Sequence, residues 1–308
     1  MGFQACRISD ELHEALERGQ PVVALESTLI THGLPEAERL VQARKLESAV
    51  RSQGALPATI ALMGGQIRIG LSDDELETLA RSRDAIKTSR RDLAWVLACG
   101  QCGATTVSAT MFCASLAGIR ILATGGIGGV HRAGERSLDI SADLAELART
   151  DVAVVCSGPK VFMDMARSLE VLETLGVPII GFGTASLPAF FCPDSGLRLD
   201  RRMDEPDEIA RLLALKWELG LRGGVLIANP PPAGSALAWE ELEPHIDTAL
   251  QAAEVQGLRG GDITPFLLQA LVRSTGGRSL KANLALLESN ARLAARIAAA
   301  MAGQNLGK

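Results

Sequence analysis

The chain has 308 residues, 47% of them hydrophobic and 22% charged, with a formal net charge of -5. A chain of that length can bury roughly 75% of its unfolded surface, so a self-sufficient core needs no staples. Mild acidity, an aromatic content of 3% and the lack of any tyrosine argue against nucleic acid as a partner, because such binding rests on cationic neutralisation and base stacking.

In chain order, the N-terminal MGFQACRISDELHE has no basic segment leading into an apolar run, so no secretory signal is expected. Pro21–Glu26 reads as a strand, and Pro35 opens a helical stretch to about Gln53. Thr59–Met63 is a strand closed by Gly64-Gly65. Ser72-Asp-Asp-Glu75 forms a capping box, in which Ser and Glu each satisfy an orphan amide at a helix start. Residues 93–119 carry no charge and are long enough to span a bilayer. Their glycines, Gln101 and several Thr and Ser need partners that lipid does not supply, so the stretch is expected to be buried in protein and no membrane association follows. Ile119–Thr124, Val152–Cys156, Val177–Gly181 and Val225–Ala228 are short apolar strands, with helical patterns at about 141–149, 161–175 and 206–220. From Ala238 onward the pattern is helical, with Thr264-Pro265 as a cap and first-turn proline and Gly276-Gly277 between two helices. Apolar strands alternating with helices predict an α/β fold, a layered α/β/α arrangement with a largely parallel central sheet and a helical C-terminal region. The simplest organisation is one domain over residues 1–308. Cys6, Cys99, Cys102, Cys113, Cys156 and Cys192 lie scattered in apolar sequence, which suits reduced thiols and a cytoplasmic location. Cys99-Gly-Gln-Cys102 has metal-like spacing but no second pair or nearby His, so packing is its expected role.

In open α/β sheets ligands bind beyond the C-terminal ends of strands. Glu26-Ser-Thr and His32-Gly33 follow the first strand, and Gly125-Gly-Ile-Gly-Gly-Val-His131 follows the Ile119 strand. Ser157-Gly-Pro-Lys160 and Asn229-Pro230 follow two more. Each has a bland reading: glycines after strands are often mere turns, His32 and His131 taken singly suit structural roles, and Lys87 or Lys160 could be solvated. Asp139 and Asp143 could be a helix cap and a first-turn acid that complements the dipole. The glycines at 125–129 do not match a dinucleotide fingerprint, because the third glycine would fall at His131. By themselves these residues indicate only a sugar-phosphate or nucleotide enzyme.

Taken together, ALESTLITHGLP at 24–35, KTSRRDL at 87–93, TTVSATM at 105–111, ATGGIGGVHR at 123–132, LDISADLAEL at 138–147, VCSGPK at 155–160, LPAFF at 187–191, ANP at 228–230, TPFLL at 264–268 and TGGRSLKAN at 275–283 resemble the pseudouridine-5'-phosphate glycosidase family, which includes the proteins called indigoidine synthase A. The resemblance runs from about residue 20 to 300. It implies that Glu26 is the proton donor and that Lys160 bonds covalently to the sugar. It implies that Asp139 is a ligand of one manganese ion per subunit. Lys87, Val107, Ser141, Ala142 and Asp143 correspond to substrate-binding positions, and His131 and Asn283 lie in matching motifs that would hold the ribose phosphate. A homotrimer is implied as well. Two departures stand out: Pro159 precedes Lys160 where a small residue such as Ala is usual, and Ala185 stands where some relatives carry Lys.

The implied reaction is reversible cleavage of pseudouridine 5'-phosphate to uracil and ribose 5-phosphate. Its C–C glycosidic bond has no heteroatom to protonate, unlike the bonds that paired-carboxylate glycosidases cut. A neutral amine on the sugar carbon supplies a different electron source. Alternatives are a class-I-aldolase-like lyase on another sugar phosphate, using the same lysine, and a non-catalytic regulator that kept the pocket. The chain leaves no room for a fused kinase, so a separate enzyme is expected to phosphorylate free pseudouridine.

Overall fold

The computed structural model describes residues 5–132, 138–258 and 260–305. Its centre is a run of parallel strands: β2 (Val22–Leu25), β7 (Ile121–Ala123), β9 (Ala153–Cys156), β13 (Leu226–Ala228) and β11 (Ile179–Phe182), in that spatial order. β12 (Arg202–Met203) closes one edge in parallel, and β3 (Leu56–Met63) flanks β2 on the other side, also parallel. Beyond it lie β4 (Gln66–Ile69), antiparallel to β3, and β1 (Cys6–Ile8), parallel to β4. β6 (Gly103–Thr105) pairs antiparallel with β3 and carries β5 (Ile86–Thr88) alongside it in parallel. A separate antiparallel ribbon joins β8 (Val130–His131) to β10 (Met163–Asp164).

Alternation along each strand splits the core between the two sheet faces. Val23 and Leu25 join one buried cluster with Leu46 and Val50 of helix Glu36–Arg51, Ile209 and Leu213 of helix Pro206–Glu218, and Leu286 and Ile297 of helix Arg278–Asn305. Val22 and Ala24 join another with Leu12 of helix Asp10–Glu17, Met111 of helix Val107–Leu116 and Leu147 of helix Ala142–Leu147. The sheet is therefore covered on both faces, as its continuous apolar strands require. The uncharged stretch 93–119 forms helix Leu93–Ala98, β6 and helix Val107–Leu116, and among the described residues no helix is long and apolar enough to cross a membrane.

Two boundaries differ from expectation. The helix expected from 161 begins at Met165, because Met163 and Asp164 are drawn into the ribbon with β8 and Asp164 caps Arg167 N at 3.0 Å. Thr264 is not a cap: a short turn, Gly260–Asp262, feeds helix Ile263–Ser274, which puts Thr264 and Pro265 inside its first turn. Proline is tolerated there because its missing N–H would have had no helical partner. The capping box at Ser72 and Glu75 is present in both directions, at 3.2 and 3.0 Å.

Candidate active site

Because the central strands are parallel, the segments that follow them emerge at one edge, where a cavity of about 320 Å³ opens. β2 delivers Glu26, β7 delivers Thr124 through Gly126, and β9 leads to Lys160; all of these line it. The Thr124 hydroxyl donates to the Glu26 carboxylate. Burial pushes that carboxyl above its ordinary range, against the opposing pull of Lys160 and the Thr124 bond. Lys160 Nζ donates to Gly126 O at 2.8 Å, so acid and amine are both attached to one turn, residues 124–127.

The turn is packed too tightly for side chains. A Cβ on Gly126 would lie 2.6 Å from the Phe190 ring and 2.8 Å from Gly158 O, and one on Gly128 would lie 2.2 Å from Ser141 Oγ. Close approach is thus what these glycines supply. Pro159 proves compatible with the same packing. It bridges Ile127 through bonds from Ile127 N to Gly158 O, 3.2 Å, and from Lys160 N to Ile127 O, 2.9 Å, neither of which needs an N–H at residue 159.

Beside this turn, Val107 starts its helix, and Ser141 caps helix Ala142–Leu147 by accepting from Asp143 N at 3.2 Å. Asp143 is a first-turn acid, as read from sequence, but its carboxylate is also a clamp. It accepts Ser108 N at 2.9 Å and Gly128 N at 2.8 Å, and only 6% of the residue is exposed. Lys87 projects from β5 and donates to Gly261 O at 2.9 Å. Burial and the nearby Lys160 charge hold its amine below the usual lysine range. His131 Nε2 lies 4.0 Å from Asp139 Oδ2. Burial lowers the His131 imidazole while Asp139 acts to raise it. Asn283, on helix Arg278–Asn305, is buried, and its Oδ1 accepts no hydrogen bond from any described residue.

Ten residues read from sequence therefore share one cavity: Glu26, Lys87, Val107, His131, Asp139, Ser141, Ala142, Asp143, Lys160 and Asn283. Other lining residues were given no role. Thr124, Ser89, Arg91 and Phe190 lie in or beside the recognised blocks, but nothing in their spacing sets them apart. His32 also lines the cavity, its Nδ1 2.5 Å from Thr31 Oγ1, with burial lowering the imidazole. Gly260 and Gly261 reach the cavity from a turn between two C-terminal helices and gave no signal at all. All six cysteines are free, and burial pushes the Cys156 thiol, beneath the site, up to about 12.

Among the described residues no group of three His, Cys, Asp or Glu side chains is placed to cage a metal ion. Glu26 and Asp143 accept from Thr124, Ser108 and Gly128, and the Asp139 side chain, 34% exposed, lines the cavity. This donor set fits a hard divalent ion that keeps most of its water and has one carboxylate anchor, not a closed protein site.

The sequence matches the protein family described as Indigoidine synthase A like protein over residues 11–300. It is 54% identical over 292 residues to the pseudouridine-5'-phosphate glycosidase of Solibacter usitatus, covering 95% of this chain and 98% of that one. The protein of the same name from Paracoccus denitrificans is 55% identical over 297 residues, covering 96% and 98%. Among solved structures, the prealnumycin C-glycosynthase AlnA in complex with ribulose 5-phosphate superimposes with a TM-score of 0.92 at 39% identity over 100% of both chains. An indigoidine synthase A-like protein from Thermotoga maritima gives a TM-score of 0.88 at 36% identity over 96% of both. The chain belongs to the indigoidine synthase A-like family, whose members include the pseudouridine-5'-phosphate glycosidases.

Proposed function

We propose that this chain is a pseudouridine-5'-phosphate glycosidase, which cleaves its substrate reversibly to uracil and ribose 5-phosphate in the cytoplasm and serves pseudouridine breakdown. The observation that carries the reading is the attachment of a primary amine, Lys160, and a buried carboxyl, Glu26, to one turn in a cavity of small-molecule size. Relatives more than half identical over nearly their whole length bear that name, and a structural neighbour makes C-glycosides.

Lys160 Nζ attacks C1' of the sugar, and the C1'–O4' bond breaks as Glu26 delivers its proton to O4'. Burial favours that role, since a carboxyl raised above its usual range still carries a proton nearer neutral pH. The adduct nitrogen gives up a proton, its lone pair then breaks the C1'–C5 bond to form the Schiff base, and the departing uracil takes that proton at C5. Water hydrolyses the resulting Schiff base and returns the amine. Lys87, Val107, Ser141, Ala142 and Asp143 line the substrate space, Lys87 supplying a cation, and Asn283, whose Oδ1 is unmatched, would help hold the ribose phosphate by a sugar hydroxyl. His131 borders the same space. Asp139 would anchor one manganese ion per subunit, whose chemistry would be to neutralise and orient substrate oxygens. A homotrimer completes the proposal, by family resemblance.

The test is synthesis from ribose 5-phosphate, uracil and manganese, with borohydride trapping on ribose 5-phosphate alongside. Product with a trapped adduct in the wild type, and a loss of at least ~10³-fold in Lys160→Ala, is the expected result. Adduct without product would support the aldolase-like reading, and neither signal from folded protein would overturn both. Calorimetric titration of manganese should show binding weakened at least tenfold in Asp139→Asn; unchanged binding would remove Asp139 as the anchor.

A further inference from the structure

Asn290 lies on helix Arg278–Asn305, is 0% exposed and does not line the cavity. Its Nδ2 donates to Thr124 O at 2.8 Å, with longer contacts to Ser157 Oγ at 3.2 Å and Gly125 O at 3.4 Å. Its Oδ1 accepts from Asn229 Nδ2 at 2.8 Å. Thr124 and Gly125 follow β7, Ser157 follows β9, and Asn229 follows β13. One carboxamide therefore joins the ends of three adjacent parallel strands. The orientation of the amide is dictated by its neighbours, because two carbonyl oxygens can only accept and must face the nitrogen.

Both reacting groups hang from the segment that Asn290 grips. The Thr124 hydroxyl donates to Glu26, and Gly126 O accepts from Lys160 Nζ at 2.8 Å. The segment is also attached by its backbone to β9 and the loop after it, through Thr124 N to Val155 O at 3.0 Å, Ser157 N to Gly125 O at 2.9 Å, Ile127 N to Gly158 O at 3.2 Å and Lys160 N to Ile127 O at 2.9 Å. Ser157 itself is in the Asn290 network, so the turn that holds Thr124, the hydrogen-bond partner of the acid, and the loop that bears the amine share one side chain as well as their backbone bonds.

We propose that Asn290 is a positioning residue for the reaction, fixing from behind the cavity the relation between Glu26 and Lys160. The proposal rests on the roles given to those two residues above. Its loss leaves the binding wall of Lys87, Ser141 and Asp143 untouched, so it acts on turnover and not on substrate affinity. A misplacement of about 1 Å in reacting groups costs on the order of 10²-fold in rate.

The test compares Asn290→Leu, which keeps the shape and removes every hydrogen bond, with Asn290→Ser, which restores one donor. Ser289→Ala serves as a control, because it breaks the 3.1 Å bond from Asn229 Nδ2 in the same network without touching residues 124–127. Steady-state synthesis and the rate of borohydride trapping are measured per folded molecule, with folding followed by circular dichroism. Asn290→Leu should lower kcat and the trapping rate about 100-fold with KM for ribose 5-phosphate within threefold. Asn290→Ser should recover part of the loss, and Ser289→Ala should match the wild type. Wild-type turnover in folded Asn290→Leu, a change in KM alone, or failure of both Asn290 variants to fold would overturn the positioning role. A wild type that traps no adduct would overturn instead the Lys160 reading on which it stands.

Discussion

Glu26 pays for its place in the cavity with hydration. The folded chain holds its proton above the ordinary value of 4.5, whereas the unfolded chain titrates near that value. Between the ordinary and the raised value the folded state binds more protons, so stability falls as pH rises through that window. Glu26→Gln cannot titrate and lacks this decline. Its stability relative to wild type should climb from about pH 4.5 upward and level off above the raised value, as read by urea denaturation at several pH values. A difference flat with pH would show that burial does not govern this carboxyl. At the same scale, what could be read in advance depended on how far a residue's partners lie along the chain. Glu26 and Lys160 drew notice as charged residues just beyond apolar strands, one and four residues past them, but their roles came from the family resemblance and not from that local signal. The clamp made by Asp143 was not, since its acceptors' partners, Ser108 and Gly128, are 35 and 15 residues away and offer only backbone N–H groups. Asn290 sits in an ordinary helical pattern, and its partner Thr124 is 166 residues distant.

The Ser72 box was read correctly from its local signature whereas the Thr264 cap was not, and elements defined only by pairing were missed. The Ser72 box needs nothing beyond four residues, and both of its bonds are present. Ser72→Ala leaves an orphan amide at the start of helix Asp73–Arg81 and should cost about 1 kcal/mol of stability. That helix packs on helix Glu36–Arg51 and on Leu29–Gly33, part of which lines the cavity, but contributes no lining residue itself, so turnover should be unchanged. A loss of activity at full folding would mean the helix is coupled to the site. Strand β5, by contrast, has three residues with a lysine at its centre and no apolar run. It exists because β6 offers it an edge, and that pairing is what aims Lys87 at the cavity. The ribbon of β8 and β10 is likewise a product of the tertiary fold, and it consumed the first turn of an expected helix.

Across the whole molecule, the layered α/β order followed from the alternation of apolar strands and helices, while the spatial order of strands did not. Chain order cannot show that β13 inserts between β9 and β11, and that insertion is what brings Asn229 within reach of Asn290. The consequence is mechanical. β7, β9 and β13 are buried on both faces, whereas β12, at one edge of the sheet, is a two-residue strand with an exposed arginine. Opening a central strand exposes both cores at once, so its amides exchange only when most of the sheet opens; edge amides need only fraying. Hydrogen exchange should therefore be slowest in β7, β9 and β13 and faster by at least ~10²-fold in β12. The reacting groups are fastened to the slow set, so ribose 5-phosphate at 100 times its Kd should slow exchange there by up to the ~2.7 kcal/mol that such binding adds to global stability. If β7 and β9 instead exchanged as readily as the edge, the turn to which Glu26 and Lys160 are hydrogen-bonded would be a soft element, and rigidity at the sheet centre could not be what holds acid and amine in register.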